Sequence, residues 1–381
     1  MEKRSIKNGE LSLLGFGLMR LPCKSGSHEI DTDQATAMVD LALDQGINYF
    51  DTAYMYHEGN SESFAGAALS RHERSSYNLA TKMPLITVRA YADVDRIFNE
   101  QLKKCRTGYF DFYLLHNINH AHLPIAEQNK VYEQLKEKQK QGLIRRLGFS
   151  FHDRPELLRR IVDKYDWDFA QIQLNYLDWD LQDAKEQYEI LTRKGIPVNV
   201  MEPVRGGTLA KLCDASVKIF SEADPGASPA SWAIRYAASL PNVQVVLSGM
   251  SSLDQLRDNI ATMSPFRPLS EQEYRVIENA LAAYRSSATV PCTSCRYCMD
   301  CPEGVEIPKN LAVYNNYQVA LSDHHPMGSF LFEMEYGLLG EKEQAASCVA
   351  CGQCATRCPQ SIDIPRWMEA IRELHGKLKS A

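Results

Sequence analysis

The sequence predicts an α/β chain in two parts: a (β/α)8 TIM barrel over residues 1–285, then a smaller, mainly helical domain over residues 286–381. Two observations predict this organisation. Short β-rich segments alternate eight times with segments of helical periodicity in the first part. Eight of the eleven cysteines lie between residues 292 and 358, in two tight runs. The boundary therefore falls near residue 286, in the polar stretch RSSATV.

The eight β-rich segments are spaced like the strands of a barrel. In chain order they read SLLGFG, INYFDT, NLATK, DFYLLH, RRLGFS, FAQIQLN, PVNVM and VQVVLSG. A doubly wound sheet is the alternative, but that fold usually carries a complete GxGxxG motif after its first strand. Here Gly15-Phe-Gly17 is followed by Leu-Met-Arg, so the motif is incomplete and the barrel is favoured.

Polar residues end several of the predicted strands. Asp51 follows INYF, Lys82 follows NLAT, His116 follows FYLL and Ser150 follows RRLGF. In a barrel of this kind the active site lies at the C-terminal ends of the strands. We therefore expect the first three of these side chains to converge on one pocket.

Composition limits the classes of function. The chain is 44% hydrophobic and 24% charged, as in ordinary globular proteins. Its net charge of −6 gives no indication of a nucleic-acid surface. No run approaches the roughly 20 apolar residues of a membrane span, and the opening MEKRSIKNGE lacks the apolar core of a signal peptide. We expect a cytoplasmic protein that binds neither nucleic acid nor membrane.

The two cysteine runs have the pattern of iron–sulfur ligands. The second run is C-x2-C-x2-C-x3-C-P, the spacing of bacterial two-cluster ferredoxins. A reducing cytoplasm disfavours disulfides, and a zinc ribbon pairs two C-x2-C knuckles across a longer spacer. We therefore predict two [4Fe–4S] clusters. The expected ligands are Cys292, Cys295, Cys298, Cys301, Cys348, Cys351, Cys354 and Cys358.

The fourth cysteine of each run is expected to serve the cluster of the other run. One cluster would then take Cys292, Cys295, Cys298 and Cys358, and the other would take Cys348, Cys351, Cys354 and Cys301. The first run has two residues rather than three before its last cysteine, so the crossed assignment stays open. Between the runs, LAVYNNYQVAL and GSFLFEMEYGLL predict helices and a helical, ferredoxin-like domain.

The barrel part resembles the aldo-keto reductase family. The residues that carry the resemblance are Asp51-Thr-Ala-Tyr-Met-Tyr56, Ala80-Thr-Lys82 and Leu114-Leu-His116, with GFGLMRLP, MEPVRGG and SGMSSLDQLRDN in agreement. The resemblance covers about residues 5–285, and the C-terminal domain resembles the two-cluster iron–sulfur extension of one bacterial branch. It implies a nicotinamide cofactor across the strand ends and interconversion of a carbonyl and an alcohol by hydride transfer.

The resemblance also implies roles for individual residues. Tyr56 would donate the proton, Lys82 would favour its phenolate, Asp51 would hold Lys82 in place, and His116 would orient the carbonyl. NADP is the expected cofactor, with NAD left open. The residues expected at its nicotinamide carboxamide are Ser150, Gln173 and Asn175, and MEPVRGG, with Met201, Pro203, Gly206 and Gly207, would lie along the pyrophosphate. Ser252, Gln255 and Asn259 would face the adenosine, and Gly17, Met19 and Gly249 are further expected contacts.

Three functions remain open at this point. The first is an iron–sulfur reductase of aldehydes, ketones or sugar-like carbonyls. The second is an electron-transfer protein that couples the barrel to a ferredoxin or flavoprotein partner. The third is a redox sensor that binds nicotinamide without turnover, against which the intact tetrad argues. A hydride carries two electrons while a cubane ordinarily passes one, and we find no flavin motif, so we expect NADPH alone to reduce the clusters slowly.

Overall fold

The computed structural model describes residues 1–6, 9–25, 27, 29–285, 289–323, 325 and 327–379. The chain forms two compact units. The barrel unit comprises residues 1–203 and 231–269, and the C-terminal unit comprises residues 204–230 and 270–381. The predicted domain boundary near residue 286 lies outside the described residues and stays a prediction.

The barrel unit confirms the predicted fold class. All eight expected strands form, and they close in the order β10-β3-β4-β5-β6-β7-β8-β9 with parallel neighbours. A preceding antiparallel pair, β1 with β2, was not expected from the sequence. The strands are β1 (Lys3–Ile6), β2 (Gly9–Ser12), β3 (Leu14–Gly17), β4 (Tyr49–Asp51), β5 (Asn78–Pro84), β6 (Phe110–Ile118), β7 (Ile144–Phe151), β8 (Phe169–Gln173), β9 (Val198–Met201) and β10 (Val243–Ser248).

Helices alternate with these strands along the chain. The first eight are α1 (Thr32–Asp44), α2 (Ser61–Leu69), α3 (Tyr91–Lys104), α4 (Leu123–Gln128), α5 (Val131–Lys140), α6 (Pro155–Lys164), α7 (Asp178–Leu181) and α8 (Ala184–Arg193). The next four are α9 (Asp214–Ala223), α10 (Pro229–Ala238), α11 (Leu253–Met263) and α12 (Glu271–Arg285).

Buried aromatic side chains fill the inside of the barrel. The Phe112 ring lies 4.8 Å from Tyr49 and 5.0 Å from Phe169, centroid to centroid, and all three are fully buried. Gly148 leaves room for this packing, because a Cβ there would lie 2.6 Å from the Phe169 carbonyl oxygen. Tyr49 and Phe169 are the first residues of their strands, whereas the site of such a barrel lies at the C-terminal ends of the strands.

The regular secondary structure in the described residues of the C-terminal unit is helical, and irregular segments carry most of its cysteines. The two segments predicted as helices between the cysteine runs form α13 and α14, as expected. The helices that follow α12 are α13 (Ile307–Ser322), α14 (Gly328–Gly337), α15 (Gln353–Arg357) and α16 (Ile364–Lys379). Their apolar faces share a core that includes Leu311, Phe332, Tyr336, Met368 and Ile371. In the part of the chain that the structure describes, none of the helices combines the length and the apolar character needed to span a bilayer.

Candidate functional site

Lys82 is the most enclosed charged group at the strand ends. Its Nζ donates to Asp51 Oδ1 at 2.6 Å and to the Thr52 carbonyl at 2.8 Å. Both charged side chains are almost fully buried. They come together because β4 and β5 are parallel neighbours that place Asp51 opposite Ala80, two residues before the lysine. The predicted pairing of Asp51 with Lys82 is thus present in the structure.

Burial and pairing act against each other on these two groups. Burial lowers the pKa of Lys82, and the charge and hydrogen bond of Asp51 raise it. Burial likewise raises the pKa of Asp51, and Lys82 lowers it. A second buried carboxyl, Glu62, adds to the negative surroundings of the lysine. Its Oε1 accepts from Thr81 and Gln101 at 2.6 Å, so it is held in position behind the site.

Tyr56 lies against this lysine. The Lys82 Nζ is 4.8 Å from the centroid of the tyrosine ring, and the tyrosine is 9% exposed. A tight turn after β4 carries the ring there, since His57, Glu58 and Gly59 all have positive φ. The His57 ring fixes this turn by accepting from the Leu21 N–H at 3.2 Å. The sequence gives no signal for the two non-glycine residues in left-handed conformation.

His116 faces Tyr56 from β6. The two rings meet edge to face, with centroids 6.0 Å apart. Burial lowers the pKa of His116 well below its usual value, and the charges of Lys82, His152 and His122 lower it further. The imidazole is therefore neutral near pH 7 and can donate one ring N–H to a substrate oxygen.

An irregular stretch of β6 follows His116 directly. The register between β6 and β7 shifts between Leu115 and Ile118, and Asn117 has a φ of 57°. The Asn117 N–H donates to the Ser150 hydroxyl at 2.8 Å. Irregularities of this kind re-aim side chains next to active sites. Sequence patterns did not reveal this one.

Two of the residues expected at the nicotinamide carboxamide, Gln173 and Asn175, belong to one buried network. Gln173 and Asn175 both donate to a single carboxylate oxygen of Asp178, at 2.7 Å and 2.6 Å. Asn175 also donates to the Glu202 carbonyl at 2.9 Å. Asp178 was not singled out in the sequence, although its carboxylate fixes the orientation of both amides.

Two of the expected cofactor contacts, Gly17 and Gly249, lie at the ends of β3 and β10. The Arg20 side chain crosses Gly249, where a Cβ would approach it to 3.2 Å, and Arg20 pairs with Glu202 at 3.1 Å. Gly17 approaches the Ser248 carbonyl, because a Cβ there would lie 3.5 Å from its oxygen. Neither Arg20 nor Glu202 was expected in this region from the sequence.

The polar residues of α11 already have local partners. Ser252 caps the helix by accepting from the Gln255 N–H, Gln255 accepts from the Ser251 N–H at 2.7 Å, and Asn259 donates to Ser248 at 2.8 Å. The helix N-terminus still offers backbone N–H groups to an anion. The remaining predicted contacts in the barrel unit are half-buried or buried, namely Met19, Met201 and Pro203. Gly206 and Gly207 belong to the C-terminal unit and have positive φ.

Each cysteine quartet of the crossed assignment surrounds its own pocket. A pocket of about 310 Å³ is lined by Cys292, Cys295, Cys298 and Cys358. A second pocket, of about 430 Å³, is lined by Cys301, Cys348, Cys351 and Cys354. Cys298 lines both pockets. All eight are free thiols, the ligand type that iron–sulfur clusters require. The donors present therefore fit two cubanes.

The thiols within each quartet lie close enough to influence one another. Burial raises the pKa of Cys298, and the neighbouring Cys295, Cys292 and Cys358 raise it further. Burial also raises the pKa of Cys354, with contributions from Cys348 and Cys301. Among the described residues, no three histidine, cysteine or carboxylate side chains are grouped so as to hold a single metal ion.

Comparisons with known proteins agree with both parts of this description. Residues 13–282 match the model of the aldo/keto reductase family, and residues 291–362 match a 4Fe-4S dicluster domain. The chain is 26% identical over 313 residues to an uncharacterised oxidoreductase of Bacillus subtilis, YqkF, and the match covers 73% of this chain and 96% of the relative.

Solved structures show the same fold. The holo form of an aldo-keto reductase from Bacillus halodurans superposes with a TM-score of 0.62 at 26% identity, over 74% of this chain and 96% of that one. An aldo-keto reductase of Klebsiella pneumoniae in complex with NADPH gives a TM-score of 0.61 at 21% identity, over 74% and 96% of the two chains.

Proposed function

The chain belongs to the aldo/keto reductase family and carries a 4Fe-4S dicluster domain, and we propose that it is a nicotinamide-dependent carbonyl reductase. It interconverts an aldehyde or ketone and the corresponding alcohol by hydride transfer, with Tyr56 as the proton donor. The observation that carries this proposal is the convergence of Asp51, Tyr56, Lys82 and His116 at the ends of β4, β5 and β6.

A bound nicotinamide would supply the hydride, and this chain's residues handle the proton and the developing charge. The Tyr56 hydroxyl gives its proton to the carbonyl oxygen, and the Lys82 ammonium stabilises the phenolate that remains. At 4.8 Å and an effective dielectric constant near 20, this attraction is worth about 3 kcal/mol. Asp51 holds the ammonium in place, and the neutral His116 donates a hydrogen bond that orients the carbonyl.

The cofactor would be held by three groups of residues in the barrel unit. Ser150, Gln173 and Asn175 would contact the carboxamide, and their orientation is fixed in advance by Asn117 and Asp178. The glycines and half-buried residues at the ends of β3, β9 and β10 would follow the pyrophosphate, and α11 would face the adenosine. The residues of the pyrophosphate group are Gly17, Met19, Met201, Pro203 and Gly249, and those of the adenosine group are Ser252, Gln255 and Asn259. The expected contacts of Gly206 and Gly207 stay a prediction. NADP is the proposed cofactor, with NAD as the alternative.

The two cysteine quartets would hold two [4Fe–4S] clusters. One observation favours electron transfer as an additional function: Cys351 is exposed, so the cluster of the second quartet would reach the surface. A ferredoxin or flavoprotein partner could then exchange single electrons there. A reducing, cytoplasmic location would suit free thiols and such clusters.

Tyr56→Phe tests the reductase directly. Anaerobically purified protein should lose carbonyl reduction while it retains NADPH binding, because the phenol supplies only the proton. Tyr54→Phe is the matched control. Its hydroxyl lies two residues away and donates to Glu100 at 3.2 Å, so this variant should keep its rate. Near-wild-type turnover by Tyr56→Phe would refute the assigned role.

A further inference from the structure

A buried glutamine on α3 binds the backbone of Lys82. The Gln101 Nε2 donates to the Lys82 carbonyl oxygen at 2.9 Å and to Glu62 Oε1 at 2.6 Å. The Gln101 Oε1 accepts from the Tyr113 hydroxyl. All four residues are fully buried or nearly so. The partners define the orientation of the amide, because its nitrogen faces two acceptors and its oxygen faces a donor.

The Lys82 carbonyl lies beyond the point where β5 loses its neighbour on one side. The pairing of β4 with β5 ends with Asp51 opposite Ala80, and the Thr52 N–H then donates to the Ala80 carbonyl at 2.9 Å. Alternate carbonyls of a strand point to the same side, so the Lys82 carbonyl points past the end of β4. A buried carbonyl without a partner is costly, and the Gln101 amide supplies a donor in place of the strand.

Glu62 holds this amide from α2. The Thr81 hydroxyl and the Gln101 amide both donate to Glu62 Oε1, each at 2.6 Å. Thr81 directly precedes Lys82 on β5, and successive side chains of a strand point to opposite faces. The hydrogen bonds of Glu62 and Gln101 therefore fix β5 from one face, while the Lys82 ammonium lies on the other.

We propose that Gln101, held by Glu62, is a positioning residue for the Lys82 ammonium. The inference rests on the proposed function, which gives Lys82 its role beside Tyr56. Support of β5 at the Lys82 carbonyl sets where the side chain starts, and so where its Nζ lies, 4.8 Å from the centroid of the Tyr56 ring. Such precision matters for the rate, because a misplacement of about 1 Å can cost roughly 10²-fold.

Gln101→Met tests the proposal in full-length protein that is anaerobic and loaded with clusters. Methionine has a similar volume and donates no hydrogen bond, so kcat for a simple aldehyde should fall by about 10–100-fold, with the KM for NADPH unchanged. Glu62→Gln keeps an acceptor oxygen for Thr81 and Gln101, and its kcat should stay close to that of wild type.

Gln244→Met is the matched control for the loss of a buried amide. The Gln244 amide donates to Asn199 at 2.9 Å, and Gln244 is the second residue of β10, at the end of the strand away from the site. This variant should lower the urea midpoint of unfolding and leave kcat unchanged.

A second measurement does not depend on turnover. Tyrosine labelled with carbon-13 at Cζ reports ionisation of the phenol by nuclear magnetic resonance, and comparison with Tyr56→Phe assigns the Tyr56 signal. If Gln101→Met displaces the ammonium from the ring, Tyr56 should ionise at a higher pH than in wild type. Gln244→Met should leave this titration unchanged.

Either of two results would overturn the inference: a wild-type kcat in Gln101→Met, or an unchanged Tyr56 titration in that variant. An equal fall of kcat in Glu62→Gln would also overturn it, because charge rather than hydrogen bonding would then be responsible. If Gln101→Met does not fold, Gln101→Asn, whose amide is too short to reach the Lys82 carbonyl, takes its place. If wild-type protein reduces no carbonyl, the proposed function fails, and the Tyr56 titration still decides the positioning role.

Discussion

Lys82→Met separates the chemical role of the lysine from its structural role. The ammonium lies 4.8 Å from the Tyr56 ring, where its attraction for a phenolate is about 3 kcal/mol at an effective dielectric constant near 20. Each 1.36 kcal/mol of activation free energy changes the rate tenfold. Loss of the attraction between the ammonium and the phenolate should therefore lower kcat by roughly 10²-fold or more. Methionine has similar length and no charge, so the shape of the site should change little.

The same variant should also destabilise the barrel unit. Without the lysine, Asp51 is left in a buried site where one of its oxygens, Oδ2, already has no hydrogen-bond partner among the described residues. Breaking a buried pair in this way costs about 3–5 kcal/mol. Asp51→Asn combined with Lys82→Met removes the uncompensated carboxylate and should recover much of that stability.

The two effects are read with two assays. Reduction of a simple aldehyde at saturating NADPH gives kcat, and the urea midpoint of unfolding gives stability. The double variant should regain its urea midpoint and none of its rate. A folded Lys82→Met protein within tenfold of the wild-type kcat would refute the reasoning, and so would recovery of the rate in the double variant.

The remaining predictions concern the proton donor, the clusters and His152. Tyr56→Phe should lower kcat by more than the 10²–10⁴-fold typical of a general acid, with NADPH affinity unchanged in a fluorescence titration. Wild-type protein should hold about eight iron and eight sulfide per chain. Cys298→Ser should lose one cluster, which iron and sulfide analysis would show. The same variant should destabilise the surroundings of that cluster, which thermal unfolding would show. Addition of NADPH alone should leave the visible cluster absorbance unchanged over one turnover time, and rapid bleaching would contradict the separation of hydride and electron chemistry. Burial lowers the pKa of His152 from 6.5 to about 4. The neutral form of His152 therefore stabilises the fold above pH 6.5, and this contribution is lost as the pH falls towards 4. His152→Gln should show a smaller loss of urea midpoint between pH 7 and pH 5 than wild type.

The sequence predicted the parts of the site that follow from strand order. Asp51, Lys82 and His116 end or nearly end consecutive strands, and parallel neighbours in a closed barrel bring such positions to one edge. The periodicity of the sequence was sufficient to predict these positions, because eight buried parallel strands have few arrangements other than a closed barrel. The helices between the cysteine runs were predictable for a similar reason, since their apolar residues recur at helical spacing.

Tertiary contacts determine the features of the site that the sequence did not predict, and no local sequence pattern encodes these contacts. The left-handed turn at His57 depends on a hydrogen bond from Leu21, 36 residues earlier. The orientation of Gln173 depends on Asp178, which in isolation resembles any helix-start aspartate. The sequence alone suggests that Arg205 is a surface loop residue, yet its side chain is 1% exposed in the structure.

Transfer of deuterium from NADPH that carries deuterium at both C4 positions tests the central claim most directly. Full-length protein, anaerobic and loaded with clusters, would be mixed with this cofactor and a simple aldehyde, and the alcohol analysed by mass spectrometry while cluster absorbance is followed. The proposed function predicts about one deuterium on the carbinol carbon per NADPH consumed by the wild type, none with Tyr56→Phe, and clusters that keep their colour. Alcohol without deuterium, or clusters that bleach before alcohol appears, would contradict direct hydride transfer at the Tyr56 site.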